Sequence, residues 1–164
     1  HIANLTPEAK AQGEALIAEG ARVYVIDDAE LQRIKDNYPV IWKDKNAKPK
    51  LCFVGCPHLT YDQLIEWTDK VYDGLRKNGL AKVSIPTVFT AAPDVVDKFN
   101  RTGHAAKLKT TGVVLSYICP LMYMNNPLCG KKPVITNSNK LRTYTSARYY
   151  TSDEILDYIT KEVK

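Results

Sequence analysis

Apolar residues fall along this chain in short runs of two spacings, and polar, Gly or Pro breaks separate them. Thr6-Pro7-Glu8-Ala9 opens a helix. Thr6 suits the N-cap, Pro7 the first helical position, and Glu8 the positive end of the dipole; the helix is expected to run to about Glu19 and stop at Gly20. Arg22–Ile26 (RVYVI) is dense in β-branched and aromatic side chains and predicts a strand. A helix capped at Asp27 or Asp28 follows to about Asn37, and the Lys-rich stretch Lys43–Lys50 reads as a surface loop.

Leu51–Val54 is a continuous apolar run that predicts a buried strand. Thr60-x-x-Gln63 is a capping box that starts a long helix ending near Asn78-Gly79. Further on, the pattern predicts a strand at Lys82–Pro86, a helix at Pro93–Arg101 closed by Gly103, and a buried strand at Gly112–Tyr117. The last elements are a strand at Pro133–Thr136 and a helix at Ser152–Val163 opened by the Thr151-x-x-Glu154 box. Strands that alternate with helices argue for an α/β fold, a three-layer domain whose mostly parallel sheet is flanked by helices. No internal repeat or low-complexity segment interrupts it, and residues 1–164 read as one domain.

Composition agrees with that picture and narrows the partners. With 45% hydrophobic and 25% charged residues the chain is globular, and no apolar run approaches the roughly 20 residues that span a bilayer. The N-terminus, His1-Ile2-Ala3-Asn4, carries neither a Met nor a signal sequence, so the chain is expected to be cut from a longer polypeptide. Four cysteines without a secretory context point to reducing cytosol. The net charge of +5 is uneven: Lys98–Ser152 holds nine basic residues and no Asp or Glu, leaving the remainder with 14 basic and 18 acidic residues. That block fits a solvated face, a subunit contact or an anionic small molecule. Nucleic acid is disfavoured, because no aromatic-rich binding motif or recognition-helix pattern accompanies the charge.

In a parallel sheet, ligands gather beyond the carboxyl ends of the strands. Cys56, in Gly55-Cys56-Pro57-His58, and Cys119, in Tyr117-Ile118-Cys119-Pro120, both follow predicted strands. Each is either a ligand or a small buried hydrophobe; Cys52, in mid-strand, reads as the latter, and Cys129 as incidental. Zinc is disfavoured: only Cys52 and Cys56 come near the close spacing of structural zinc ligands, and a strand residue with a loop residue makes a poor chelating knuckle. His58 stands two residues from Cys56 as a possible base, with His104 unplaced. Asn137-Ser138-Asn139-Lys140, followed by Arg142 and Tyr144, is either a polar turn or a set of donors for a carboxylate or phosphate.

The order His1-x-x-x-x-Thr6-Pro7-Glu8-Ala9, Gly55-Cys56-Pro57-His58, Cys119-Pro120, Asn137-Ser138-x-Lys140-x-x-x-Tyr144 resembles the last stretch of the large subunit of aconitase X proteins. That family includes archaeal phosphomevalonate dehydratases and bacterial cis-3-hydroxyproline dehydratases. The resemblance implies an aconitase-like fold and a hydro-lyase whose iron–sulfur cluster is held by three cysteines. Cys56 and Cys119 match cluster ligands, the third lying upstream of His1. Asn137, Ser138, Lys140 and Tyr144 match a substrate-contact motif, and His58 a residue that orients a ligand or assists proton transfer; no residue is a convincing base. The resemblance further implies a small swivelling subunit as partner and an anionic substrate, mevalonate 5-phosphate first and cis-3-hydroxyproline as the alternative. The chain alone is then expected to be inactive. Two positions depart from the family pattern: Asn139 stands where a Gly is expected, and Tyr117-Ile118 where an acidic residue and Thr commonly precede the second Cys. A reading from a different class, a non-catalytic α/β binding or assembly domain with structural cysteines, stays open on the residues alone.

Overall fold

The computed structural model describes residues 1–162, which divide into two compact units, His1–Tyr38 and the remainder from Pro39. In the first, α1 (Pro7–Gln12) passes into a single 3-10 turn, Gly13–Leu16, instead of running to Glu19. Gly13 stops it, with φ at +54°, a conformation open to glycine. Residues 21–27 form neither helix nor strand, which corrects the expectation for Arg22–Ile26. An extended segment becomes a strand only when another backbone satisfies its amides and carbonyls. α2 (Asp28–Asp36) forms as its cap predicts, with the Asp27 carboxylate accepting from the Glu30 amide at 2.8 Å.

The second unit is the α/β domain. Five parallel strands stand in the order β3 (Val114–Ser116), β2 (Thr87–Ala91), β1 (Leu51–Leu59), β4 (Val134–Thr136), β5 (Arg148–Tyr149). The chain winds outward from β1 through β2 to β3, then returns across the sheet to β4 and β5. Parallel crossovers are right-handed, so this reversal sends the two sets of helices to opposite faces. α3 (Tyr61–Lys77), α4 (Pro93–Asn100) and α5 (Gly103–Thr110) cover one face, and α9 (Ser152–Thr160) joins them. α6 (Pro120–Met124), α7 (Pro127–Gly130) and α8 (Asn139–Tyr144) cover the other.

The pleat of β1 sorts its side chains between these faces. Cys52 and Val54 enter the core beneath α3, while Leu51 and Phe53 pack toward α6 and α8. On α3, Leu64, Trp67, Thr68, Val71 and Leu75 form the buried stripe of an amphipathic helix, and Trp67 meets Phe89 edge-on at 5.5 Å between ring centres. Leu64, Val71 and Phe89 are fully buried, and each such side chain contributes about 2 kcal/mol relative to exposure. On the opposite face Tyr123 of α6 stacks on Phe53 at 5.4 Å.

Several expectations shift in register. The strand expected at Lys82–Pro86 lies instead at Thr87–Ala91, because Pro86 has no amide to give a ladder and marks the strand's start. Residues 83 and 84 donate singly to the carbonyls of Thr111 and Ile159. Gly103 does not close a helix but begins α5, one residue after α4's terminal turn and Thr102. β3 is shorter than Gly112–Tyr117 and lies at the sheet edge, with Val114 56% exposed, so it is not the buried strand expected there. α9 ends at Thr160; Val163 lies outside the described residues. Among the described residues no helix is long and apolar enough to cross a membrane.

β1 itself continues past Val54 to Leu59, so Cys56 and His58 belong to an irregular strand end and not to a loop. The ladder with β2 pairs Val54 with Phe89 and next pairs Leu59 with Ala91, five residues against two. Gly55 starts this bulge at φ +112°, its carbonyl accepting from the Thr90 hydroxyl at 2.5 Å. A Cβ there would lie 2.3 Å from the Thr90 carbonyl oxygen. Gly55→Ala is therefore expected to destabilise the domain by at least about 2 kcal/mol in urea unfolding followed by circular dichroism; a loss within about 0.5 kcal/mol would contradict this tight approach.

Candidate functional site

The winding direction reverses between β1 and β4, and their continuations leave the sheet on opposite faces: α3 follows β1 and α8 follows β4. Such a switch point leaves a crevice beyond the carboxyl ends of the two strands. Here it is a cavity of about 510 Å³ lined by the Gly55–Thr60 bulge, the first turns of α3, Asn137 just past β4, and Ser152 and Leu156 of α9.

Three residues singled out from the sequence meet there. Cys56, Asn137 and His58 all line the cavity. His58 is half-buried, and its Nε2 is shut away from solvent without a hydrogen-bond partner among the described residues. An unpaired buried nitrogen costs about 1–3 kcal/mol. Asn137 donates through Nδ2 to the Ser152 hydroxyl at 3.1 Å, fixing the amide at the crevice mouth. Lys70, which sequence reasoning missed, also lines the cavity and is paired with Glu66 one turn earlier on α3. That bond holds its ammonium protonated above the usual lysine range. Its i, i+4 spacing from Glu66 was the available signal.

The remaining candidates stand elsewhere. Cys119 is half-buried at the N-cap of α6, where its carbonyl accepts from the Met122 amide at 2.9 Å. α6 packs its Leu121, Tyr123 and Met124 into the same apolar cluster as Cys56, on the α6–α8 side of the sheet. Ser138 is 4% exposed and its hydroxyl is already engaged, accepting from the Leu141 amide at 2.9 Å as the N-cap of α8. Lys140 and Tyr144 are exposed on α8, Tyr144 by 72%, and neither lines the crevice.

The +9 block is also dispersed. Lys98 lies 3.9 Å from the centre of the Tyr61 ring, Lys107 pairs with Asp69 at 2.7 Å, and Arg148 stacks between Trp42 and Tyr150. None of its nine basic residues lines the crevice. A larger groove, about 720 Å³, lies at the amino ends of the strands beside the loop before β1 and the end of α9. It holds none of the residues whose chemistry stood out, and it sits at the end of the sheet opposite the switch point.

The four thiols differ by burial. Cys52 is fully enclosed, and desolvation pushes its thiol far above the ordinary range. Cys56 is 8% exposed among apolar neighbours, and Cys119 and Cys129 are half-buried. Among the described residues no three His, Cys, Asp or Glu side chains gather closely enough to hold a metal ion. The donor type at Cys56 and Cys119 nonetheless suits an iron–sulfur cluster, which takes thiolates in an apolar shell. In the folded chain, iodoacetamide is expected to label Cys119 and Cys129 first and Cys52 only after unfolding; mass spectrometry finding Cys52 labelled while circular dichroism stays native would contradict this order.

Comparison with known proteins places this geometry. Among curated proteins none matches the sequence. The crystal structure of Thermococcus kodakaraensis aconitase X in its holo form shares the fold with a TM-score of 0.61 over 87% of this chain, at 18% sequence identity. That protein is far longer, and this chain spans 36% of its length. A family model, the aconitase X third domain, matches residues 49–156, which hold every strand of the sheet and the crevice at its switch point. The chain belongs to the aconitase X family and carries its third domain.

Proposed function

We propose that this chain is part of the large subunit of a hydro-lyase that removes water from a hydroxy acid, and that the β1–β4 crevice is its share of the active site. The observation that carries this reading is the cavity at the switch point, where Cys56 lies beside a buried, unpartnered His58 nitrogen and the anchored Asn137 amide. Family membership supplies the reaction class.

Cys56 and Cys119 would hold two corners of an iron–sulfur cluster, with a third thiolate from elsewhere in the protein. When bound, the cluster supplies an iron Lewis acid that draws off the hydroxyl leaving group. Around it the chain's own groups position the substrate. Asn137 and Lys70 offer an amide and a cation for a carboxylate or phosphate, and the bulge and α3 wall exclude water. His58 Nε2 meets a substrate oxygen and orients it. The proton on the neighbouring carbon goes to a base on the partner, the small swivelling subunit.

Mevalonate 5-phosphate is the preferred substrate and cis-3-hydroxyproline the alternative. The positive stretch from Lys98 to Ser152 supports the phosphorylated anion through its long-range field, since those charges do not line the crevice.

Anaerobic reconstitution of the complete two-subunit protein tests both parts. Cys56→Ser is expected to lose the cluster's visible and electron paramagnetic resonance signals together with turnover, and an unchanged spectrum would overturn the ligand assignment. His58→Gln is expected to keep the cluster signal while kcat falls about a hundredfold or more. Assays with the two substrates side by side then choose between them, and turnover of neither would overturn the substrate reading.

A further inference from the structure

The groove of about 720 Å³ at the amino ends of the strands has a volume within the roughly 300–1,000 Å³ of small-molecule sites. Its walls come from the loop before β1, from Arg148 and Tyr150 around β5, and from α9. Two of its groups hold unspent hydrogen-bonding capacity. The Tyr158 hydroxyl is shut away from solvent and finds no hydrogen-bond partner among the described residues. Burial, with the neighbouring Tyr150 as second cause, pushes its pKa above the usual tyrosine range, so at neutral pH it keeps its proton and can donate. Arg148 is the other. Its guanidinium lies 5.8 Å from the centre of the Trp42 ring and 5.6 Å from that of Tyr150, and no carboxylate among the described residues pairs with it. A guanidinium held through its faces still presents its N–H edge, the fork that takes a carboxylate or phosphate in two parallel bonds. The acids on the wall leave that edge open. Asp157 pairs with Lys161 at 2.6 Å, Glu154 accepts from the Thr151 amide in the α9 capping box, and Glu162 is exposed beyond the end of α9.

The geometry points to a small-molecule site in this groove, at the end of the sheet opposite the crevice, for an organic compound that bears one carboxylate or phosphate. The Arg148 edge takes two oxygens of the acid group, and the Tyr158 hydroxyl donates to an oxygen of the same molecule. Tyr150 lies beside both, its ring 6.5 Å from that of Tyr158, and gives the body of the ligand an aromatic wall. Lys45, exposed on the loop before β1, adds a second cation to the same wall. The site stands apart from the dehydratase reading, and its ligand binds whether or not the crevice carries a cluster.

Nuclear magnetic resonance of isotope-labelled protein, titrated with benzoate and with phenyl phosphate, tests it. At least one of these acids is expected to move the Arg148 Nε–H and Tyr158 ring signals saturably, with a Kd of about a millimolar or tighter, and the tighter binder identifies the acid group. Benzyl alcohol, the same ring without the charge, should move neither signal. Tyr158→Phe removes one hydroxyl and keeps the ring, and is expected to weaken binding about fivefold. Arg148→Lys keeps a charge but loses the fork, and is expected to weaken it about tenfold. Circular dichroism checks that each variant is folded, and if one is not, the other carries the test. The site is overturned if neither acid gives a saturating shift up to about 20 mM, or if benzyl alcohol binds as tightly as the acids. Shifts confined to His58 and Asn137 in the crevice, or an affinity unchanged in the folded variants, would overturn it equally.

Discussion

Parallel strands cannot be joined by tight turns, and a right-handed crossover leaves no choice of face once the direction of winding is set. In this domain the direction reverses once, at β1, and the rest follows from that reversal. It divides the helices between the two faces, makes β1 the strand that feeds both cores, and opens the crevice between the ends of β1 and β4. The backbone of β1 is held against β2 where the crevice begins: Gly55 lies so close to Thr90 that a side chain has no room. The bulge that follows turns Cys56 toward the α6–α8 cluster and leaves His58 lining the cavity. One irregularity of the central strand therefore sets out the candidate chemistry on two sides of a single strand end.

Much of this was legible in the residues, and the successes and failures have separate causes. The boxes Thr60–Gln63 and Thr151–Glu154 form as read, because a capping box is a local exchange of hydrogen bonds that needs no tertiary partner. Leu51–Val54 and Pro133–Thr136 also form strands where expected, β1 running on to Leu59, as central strands declare themselves by continuous burial. Misplacements arise where one residue type serves two purposes. Ser138 looked like part of a polar turn and is a helix cap; Gly103 looked like a stop and is a start; Pro86 looked like the end of a strand and stands just before one. Arg22–Ile26 shows the limit of local pattern most plainly, since its propensity is strong and it pairs with no strand among the described residues.

The candidate site was legible only in part. Gly55-Cys56-Pro57-His58 marked the right strand end, and Asn137 the right neighbour across the switch point. Charge counting was less informative. A stretch at +9 invites an anion-binding face, but Lys98, Lys107 and Arg148 are committed to aromatic rings and to Asp69, which are contacts that stabilise the fold. The cation that does line the crevice, Lys70, lies outside that stretch on the opposite wall. Net charge by segment sets a field, while the topology decides which charges a ligand touches.

The reversal at β1 opens the crevice to which we assign this protein's chemistry. Iron anomalous diffraction from anaerobically grown crystals of the complete protein tests it most directly. The expected result is an iron peak bonded to the Cys56 sulfur at the carboxyl end of β1, where the strand borders the crevice. An ordered cluster bound wholly by residues elsewhere, with Cys56 still packed against Met124 and Leu141, would contradict it.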